Sequence, residues 1–141
     1  MSETSSPRRI GRSIGAILAG LVTGAALSLG TDLVMYAAGI FPPLSQPKMF
    51  TTGLLTLATI YRTLYGLLGG YIAARLAPNR PMGHALALGF LGLVASLIGL
   101  IAMRSAGPVW YPLALVVLSV PQCWAGGKIA GRKTQEITAM R

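Results

Sequence analysis

The sequence predicts an all-α membrane protein: a bundle of four transmembrane helices arranged as two hairpins, an internal duplication with both chain ends in the cytoplasm. Three observations predict it. Residues 13–31, 81–103 and 105–127 carry no charged side chain with His84 neutral, and 53–76 carry only Arg62 and Arg75. A helix needs about 20 apolar residues to cross a hydrocarbon core roughly 30 Å thick, and four such stretches nearly fill 141 residues. Composition agrees, with 53% hydrophobic and 11% charged residues, where a soluble domain carries about 25% charge. The third observation is where the positive charges stand. Arg8, Arg9 and Arg12 precede the first span, Arg75 and Arg80 join the second to the third, and Lys128, Arg132, Lys133 and Arg141 follow the fourth. Only Lys48 and Arg104 fall in the opposite loops. That bias sets topology by the positive-inside rule, so the net charge of +9 reads as orientation and attraction to anionic headgroups, not as nucleic-acid binding.

The elements follow in order. Residues 1–12 are expected to form a disordered basic cytoplasmic tail, since Met1 to Pro7 is rich in Ser, Thr and Pro. The membrane domain is expected over 13–131, with spans at about 13–38, 50–77, 82–103 and 109–131, and 132–141 as a cytoplasmic tail. The first apolar run is too long for a signal-peptide core and is followed by further spans. Pro42, Pro43 and Pro47 mean that the first outer loop cannot continue a helix. Pro78-Asn79-Arg80-Pro81 makes a tight inner turn and Gly107-Pro108 a second outer one. Pro112 falls in the first turn of span four, where its missing N–H is harmless, whereas Pro121 should kink that span and free the Val117 carbonyl. Tyr36, Phe41, Phe50, Trp110 and Tyr111 mark the outer interface, Tyr71 and Trp124 the inner one, as membrane anchors.

The duplication shows in two alignments. Arg12-Ser13-Ile14-Gly15 with Gly24 and Ser28 matches Arg80-Pro81-Met82-Gly83 with Gly92 and Ser96. Gly69-Gly70-Tyr71-Ile72-Ala73-Ala74-Arg75 matches Gly126-Gly127-Lys128-Ile129-Ala130-Gly131-Arg132. Two-span units enter from the same side, so the copies would be related by an axis along the membrane normal.

Small residues at helical spacing let neighbouring backbones approach, which is how helices associate in lipid. The expected packing positions are Gly20, Gly24 and Ser28, then Gly66, Gly69 and Gly70, Gly92 and Ser96, and Gly126 and Gly127. Asp32 and Arg62 stand apart, because a charge within a span costs roughly 3 kcal/mol. Asp32 lies about 30 Å along the helix from Arg12, and Arg62 about 20 Å from Arg75, a gap the long arginine stem can close. They are the candidate intramembrane ion pair, in the outer half of the membrane; the duplicated positions hold Leu100 and Ser119. Cys123 is the one cysteine and His84 the one histidine, and the acids are Glu3, Asp32 and Glu136. No catalytic triad, metal set or phosphate loop can be assembled from them within one chain, and no catalytic, cofactor or metal residues are expected.

The segments Gly30-Thr31-Asp32, Phe41-Pro42-Pro43, Tyr61-Arg62, Gly69 to Pro78, Arg80-Pro81-Met82 and Trp110-Tyr111-Pro112 resemble a group of small bacterial four-span inner-membrane proteins, over roughly Arg12 to Arg132. That resemblance implies a multi-pass protein of the bacterial plasma membrane and a helical bundle, and brings no activity with it. The expected function is a non-enzymatic one exercised through helix packing, as a homo-oligomer or an accessory subunit beside other membrane subunits. The alternative is a small transporter or channel coupled through Asp32 and Arg62.

Overall fold

Four α-helices, with no strand among the described residues, build the chain: α1 (Pro7–Ala37), α2 (Thr52–Leu76), α3 (Pro81–Ala102) and α4 (Trp110–Ala139). The computed structural model describes residues 7–141. Of these helices, α1, α3 and α4 are long and apolar enough to cross a membrane. At 25 residues α2 has the length, but Arg62, three tyrosines and four threonines dilute its apolar character.

The ends of the helices follow from local chemistry. Pro7 is the first described residue of α1, and proline's fixed φ suits a first helical turn. Arg8, Arg9 and Arg12 are therefore helical, which corrects the expectation of an irregular tail as far as residue 12. Arginine is a good helix former, and the helix simply continues beyond the apolar stretch. Residues 1–6 of that expected tail lie outside the described residues. Gly39 supplies a left-handed residue (φ 71°) just past the end of α1, and the N–H of Ile40 returns 3.0 Å to the Met35 carbonyl. Thr51 caps α2, its hydroxyl accepting from the Leu54 N–H at 3.3 Å. Pro81 starts α3 behind Arg80, which takes the left-handed conformation at φ 42°. α4 runs through Pro121 and on to Ala139, so most of 132–141 is helical too.

Packing is centred on α2, which lies against α1, α4 and α3. α3 also runs along α4, whereas α1 touches α3 lightly and makes no backbone contact with α4. The register is set by small residues. Gly20 faces Gly69 and Gly24 faces Tyr65, so α1 and α2 are antiparallel. Gly127 faces Ala85 and Gly92 faces Ser119, so α3 and α4 are antiparallel as well. Gly70 meets Cys123 and Ala74 meets Ala130, which makes α2 and α4 parallel.

The interior is small-residue in character: Ala16, Ala58, Ala73, Ala74, Ala85, Ser119, Cys123 and Ala130 are buried, with Leu88 among them. The large apolar side chains point outward instead, among them Leu18, Val22 and Leu33 on α1, Phe90, Val94 and Ile98 on α3, and Leu113 and Val117 on α4. On α2 the outward stripe is Leu57, Ile60, Leu64 and Leu68. Soluble proteins seldom expose apolar surface on this scale, whereas in lipid the exterior gains nothing by being polar and close packing holds helices together.

Candidate functional site

The one ion pair among the described residues lies between α1 and α2, near the end of the bundle formed by the α1–α2 loop. Asp32 is on the penultimate turn of α1 and Arg62 in the first half of α2, and the antiparallel register brings them together. Arg62 donates through Nη2 to Oδ2 of Asp32, and the neighbouring Tyr61 hydroxyl donates to Oδ1. Both carboxylate oxygens are thus engaged by charged or polar donors, the arrangement a partly desolvated carboxylate requires. The Asp32 side chain is 15% exposed and that of Arg62 33%. One donor is left over: Arg62 Nε is buried without a partner.

A second polar link lies beside the first, where the hydroxyls of Thr31 and Tyr65 are 2.9 Å apart. Thr31 gives its single proton to the Leu27 carbonyl at 2.8 Å, so the Tyr65 hydroxyl donates to Thr31. α1 and α2 are therefore joined by adjacent side chains on both helices, Thr31–Asp32 against Tyr61–Arg62 and Tyr65.

Aromatic residues cover this end. Phe41 folds back from the loop, its N–H donating to the Met35 carbonyl at 3.1 Å, and is 6% exposed against Ala58 and Tyr61. Its ring meets Tyr36 and Phe50 edge-on, at centroid distances of 5.5 and 5.3 Å. Tyr111, from the start of α4, packs on the same cluster. The sequence treats Phe41 as a membrane anchor; the fold buries it as a core residue instead, because the turn after Gly39 reverses the chain. Trp110 stays exposed. A shallow groove beside the cap is lined by Tyr36, Phe41, Pro42, Pro43, Met49 and Leu54, and none of these offers a charge.

The expected packing residues distribute over three interfaces. A Cβ on Gly20 would fall 2.4 Å from the Gly69 carbonyl oxygen, and one on Gly24 would fall 3.3 Å from that of Tyr65. A Cβ on Gly70 would sit 2.6 Å from Cys123 Cα, one on Gly126 2.1 Å from the Leu67 oxygen, and one on Gly127 2.7 Å from Ala85 Cβ. Gly66 makes room for the flexible Gln122 side chain, and Gly92 is in ordinary contact with Ser119 at 3.7 Å. Ser28 and Ser96 are partly buried. Interior hydroxyls turn to their own helices: Ser119 donates to the Val116 carbonyl at 2.6 Å, and Thr59 to Leu55 at 2.8 Å. His84 is remote from Asp32, its Nδ1 3.1 Å from the Arg80 carbonyl oxygen at the other end of the bundle. Among the described residues no group of three His, Cys, Asp or Glu side chains is placed to hold a metal.

Sequence reasoning missed Tyr61 as the second donor to Asp32. The signal was its position beside Arg62, since consecutive helix residues diverge by only about 100° and two long side chains can converge on one acid across a helix seam. Comparison with protein-family models, curated proteins and solved structures finds no match to the chain.

Proposed function

We propose that the chain is a four-span integral protein of the bacterial plasma membrane, built as two duplicated hairpins with both ends in the cytoplasm. It acts without catalysis, through helix packing, as a homo-oligomer or as an accessory subunit of a membrane complex. The observation that carries this reading is the inverted distribution of side chains, with glycine and alanine between the helices and leucine, isoleucine, valine and phenylalanine outside. As the fourth span, α2 needs less hydrophobicity than the others, because three helices shield it and its exposed stripe from Leu57 to Leu68 is aliphatic. The parallel α2–α4 pair at the centre supports a duplication about an axis along the membrane normal, and the basic residues gathered at one end support the orientation. For association, α1 is the natural surface. Ala16 and Gly20 are its buried residues, and a Cβ on Gly11, Gly15 or Gly30 would meet nothing within 4 Å.

The test is particle mass after extraction in native nanodiscs, combined with crosslinking from cysteines placed at Gly15 and Gly30. Self-crosslinks, or a co-purifying membrane subunit in fixed stoichiometry, are expected. A strictly monomeric particle without a partner would overturn the reading.

One observation favours a second reading, a small transporter or channel coupled through Asp32 and Arg62. Arg62 is a third exposed and keeps a buried, unpartnered Nε in the half of the bundle away from the basic end. Polar residues inside membranes mark ion pathways often enough to make this testable. Flux into liposomes that Asp32→Asn abolishes would establish it; absence of flux for ions and cationic compounds would leave the packing reading.

A further inference from the structure

At the basic end of the bundle, a cation of α4 lies near an aromatic ring of α2. Lys133 of α4 lies with its Nζ 6.0 Å from the centroid of the Tyr71 ring on α2, so its stem crosses from one helix to the other. Arg75 stands one turn beyond Tyr71 on the same face of α2 and is exposed. Among the described residues neither has a carboxylate within 4.0 Å, the one ion pair there being Asp32–Arg62. Glu136, the acid nearest in sequence, makes no salt bridge with Lys133. Toward the middle of the bundle the same side turns aliphatic. Leu68 and Leu64 continue the Tyr71 face of α2, and Ile129 precedes Lys133 by one turn on α4, all of them exposed. Two cations without an acid partner among the described residues therefore head a strip of exposed hydrocarbon.

We propose that this end of the α2–α4 groove binds an anionic phospholipid, with Arg75 and Lys133 holding the phosphate, the Tyr71 hydroxyl beside it, and an acyl chain along Leu68 and Leu64. The inference rests on the membrane reading above and adds to it a lipid class and a place. The chemistry is charge-assisted hydrogen bonding from guanidinium and ammonium to a phosphate monoanion, in the weakly screened headgroup layer. Lys128 and Arg132 provide the comparison. Lys128 lies over Trp124 of its own helix at 4.4 Å, and Lys128 and Arg132 are exposed one turn apart on α4.

The full chain is reconstituted in phosphatidylcholine–phosphatidylglycerol bilayers, checked for incorporation by flotation, released in mild detergent and weighed by native mass spectrometry. Wild type should retain one phosphatidylglycerol per chain in preference to phosphatidylcholine. Arg75→Gln/Lys133→Gln should weaken that retention roughly thirtyfold, while Lys128→Gln/Arg132→Gln, with the same loss of charge, should leave it near the wild-type level. Equal loss in both double variants would show a diffuse charge effect and overturn the site. No preference for phosphatidylglycerol in wild type would overturn it as well. Failure of the protein to float with the bilayer would instead defeat the membrane reading on which the site depends.

Discussion

Tyr61 and Arg62 are consecutive residues of α2, yet each takes its own oxygen of the same carboxylate, the phenol at Oδ1 and the guanidinium at Oδ2 of Asp32. Asp32 must therefore lie over the line between two adjacent side-chain directions, which fixes both the rotation of α2 against α1 and the register of the pair. A salt bridge alone would fix less.

Removing either charged partner leaves the other in surroundings that solvate it poorly. Exposed pairs are worth about 0–1 kcal/mol, while breaking a buried one costs about 3–5 kcal/mol. With side chains 15% and 33% exposed, Asp32→Ala and Arg62→Leu should each cost about 2 kcal/mol, between those limits. The double variant should lose about 1 kcal/mol less than the two singles summed, as residues in contact do. Unfolding in detergent measures all three, and strict additivity would mean that the side chains do not touch in the membrane.

Tyr61→Phe isolates the second donor. A hydrogen bond to a charged acceptor contributes more than a neutral one, so the loss should be about 1–2 kcal/mol. In an Asp32→Ala background the same change should cost almost nothing. An unchanged penalty there would assign Tyr61 a packing role against Phe41 and Ala58 only.

The glycines divide by what a methyl group would strike. Gly126→Ala drives a Cβ to 2.1 Å from the Leu67 oxygen and 2.6 Å from the Tyr71 nitrogen, both backbone atoms that cannot step aside. A loss of about 3 kcal/mol follows from separating α2 and α4. Gly15→Ala meets nothing within 4 Å and should change monomer stability by less than about 1 kcal/mol, in the stabilising direction. Thermal unfolding of the two variants side by side checks the contrast.

Topology is testable with reporters fused after Arg141 and within the 42–48 loop. The C-terminal fusion should report the cytoplasm and the loop fusion the opposite side. The reverse pattern would defeat the inference from charge.

Much of the architecture was legible because lipid imposes few rules and strict ones. Uncharged length located α1, α3 and α4, and proline placed the breaks between helices. Counting turns from the basic end put Asp32 and Arg62 about 10 Å apart in depth, a gap within reach of the arginine stem, so their meeting was reasonable from helix rise and side-chain length together. Of the doublets Gly69-Gly70 and Gly126-Gly127, Gly70 and Gly126 mark the close approach of α2 and α4, while Gly69 faces α1 and Gly127 faces α3. What remained hidden depended on three-dimensional detail. Hydropathy fades at Arg12 and Arg132, whereas the helices extend past both, since backbone hydrogen bonding does not stop where lipid does. An aromatic residue near an interface has the same composition whether it anchors in headgroups or folds inward, and only the turn at Gly39 decides that for Phe41.

The order in which the chain is made gives the Asp32–Arg62 contact one more consequence. α1 emerges first, with an acid near its far end and no cation to meet it. α2 follows with an arginine in its first half and is the one helix of the four that is not apolar enough to count as a span by itself. α2 is the weak span when alone, and the charges of Asp32 and Arg62 are matched in a single step when Arg62 and Tyr61 close on Asp32. If α2 is the fourth span proposed above, it should enter the bilayer against α1 and not alone.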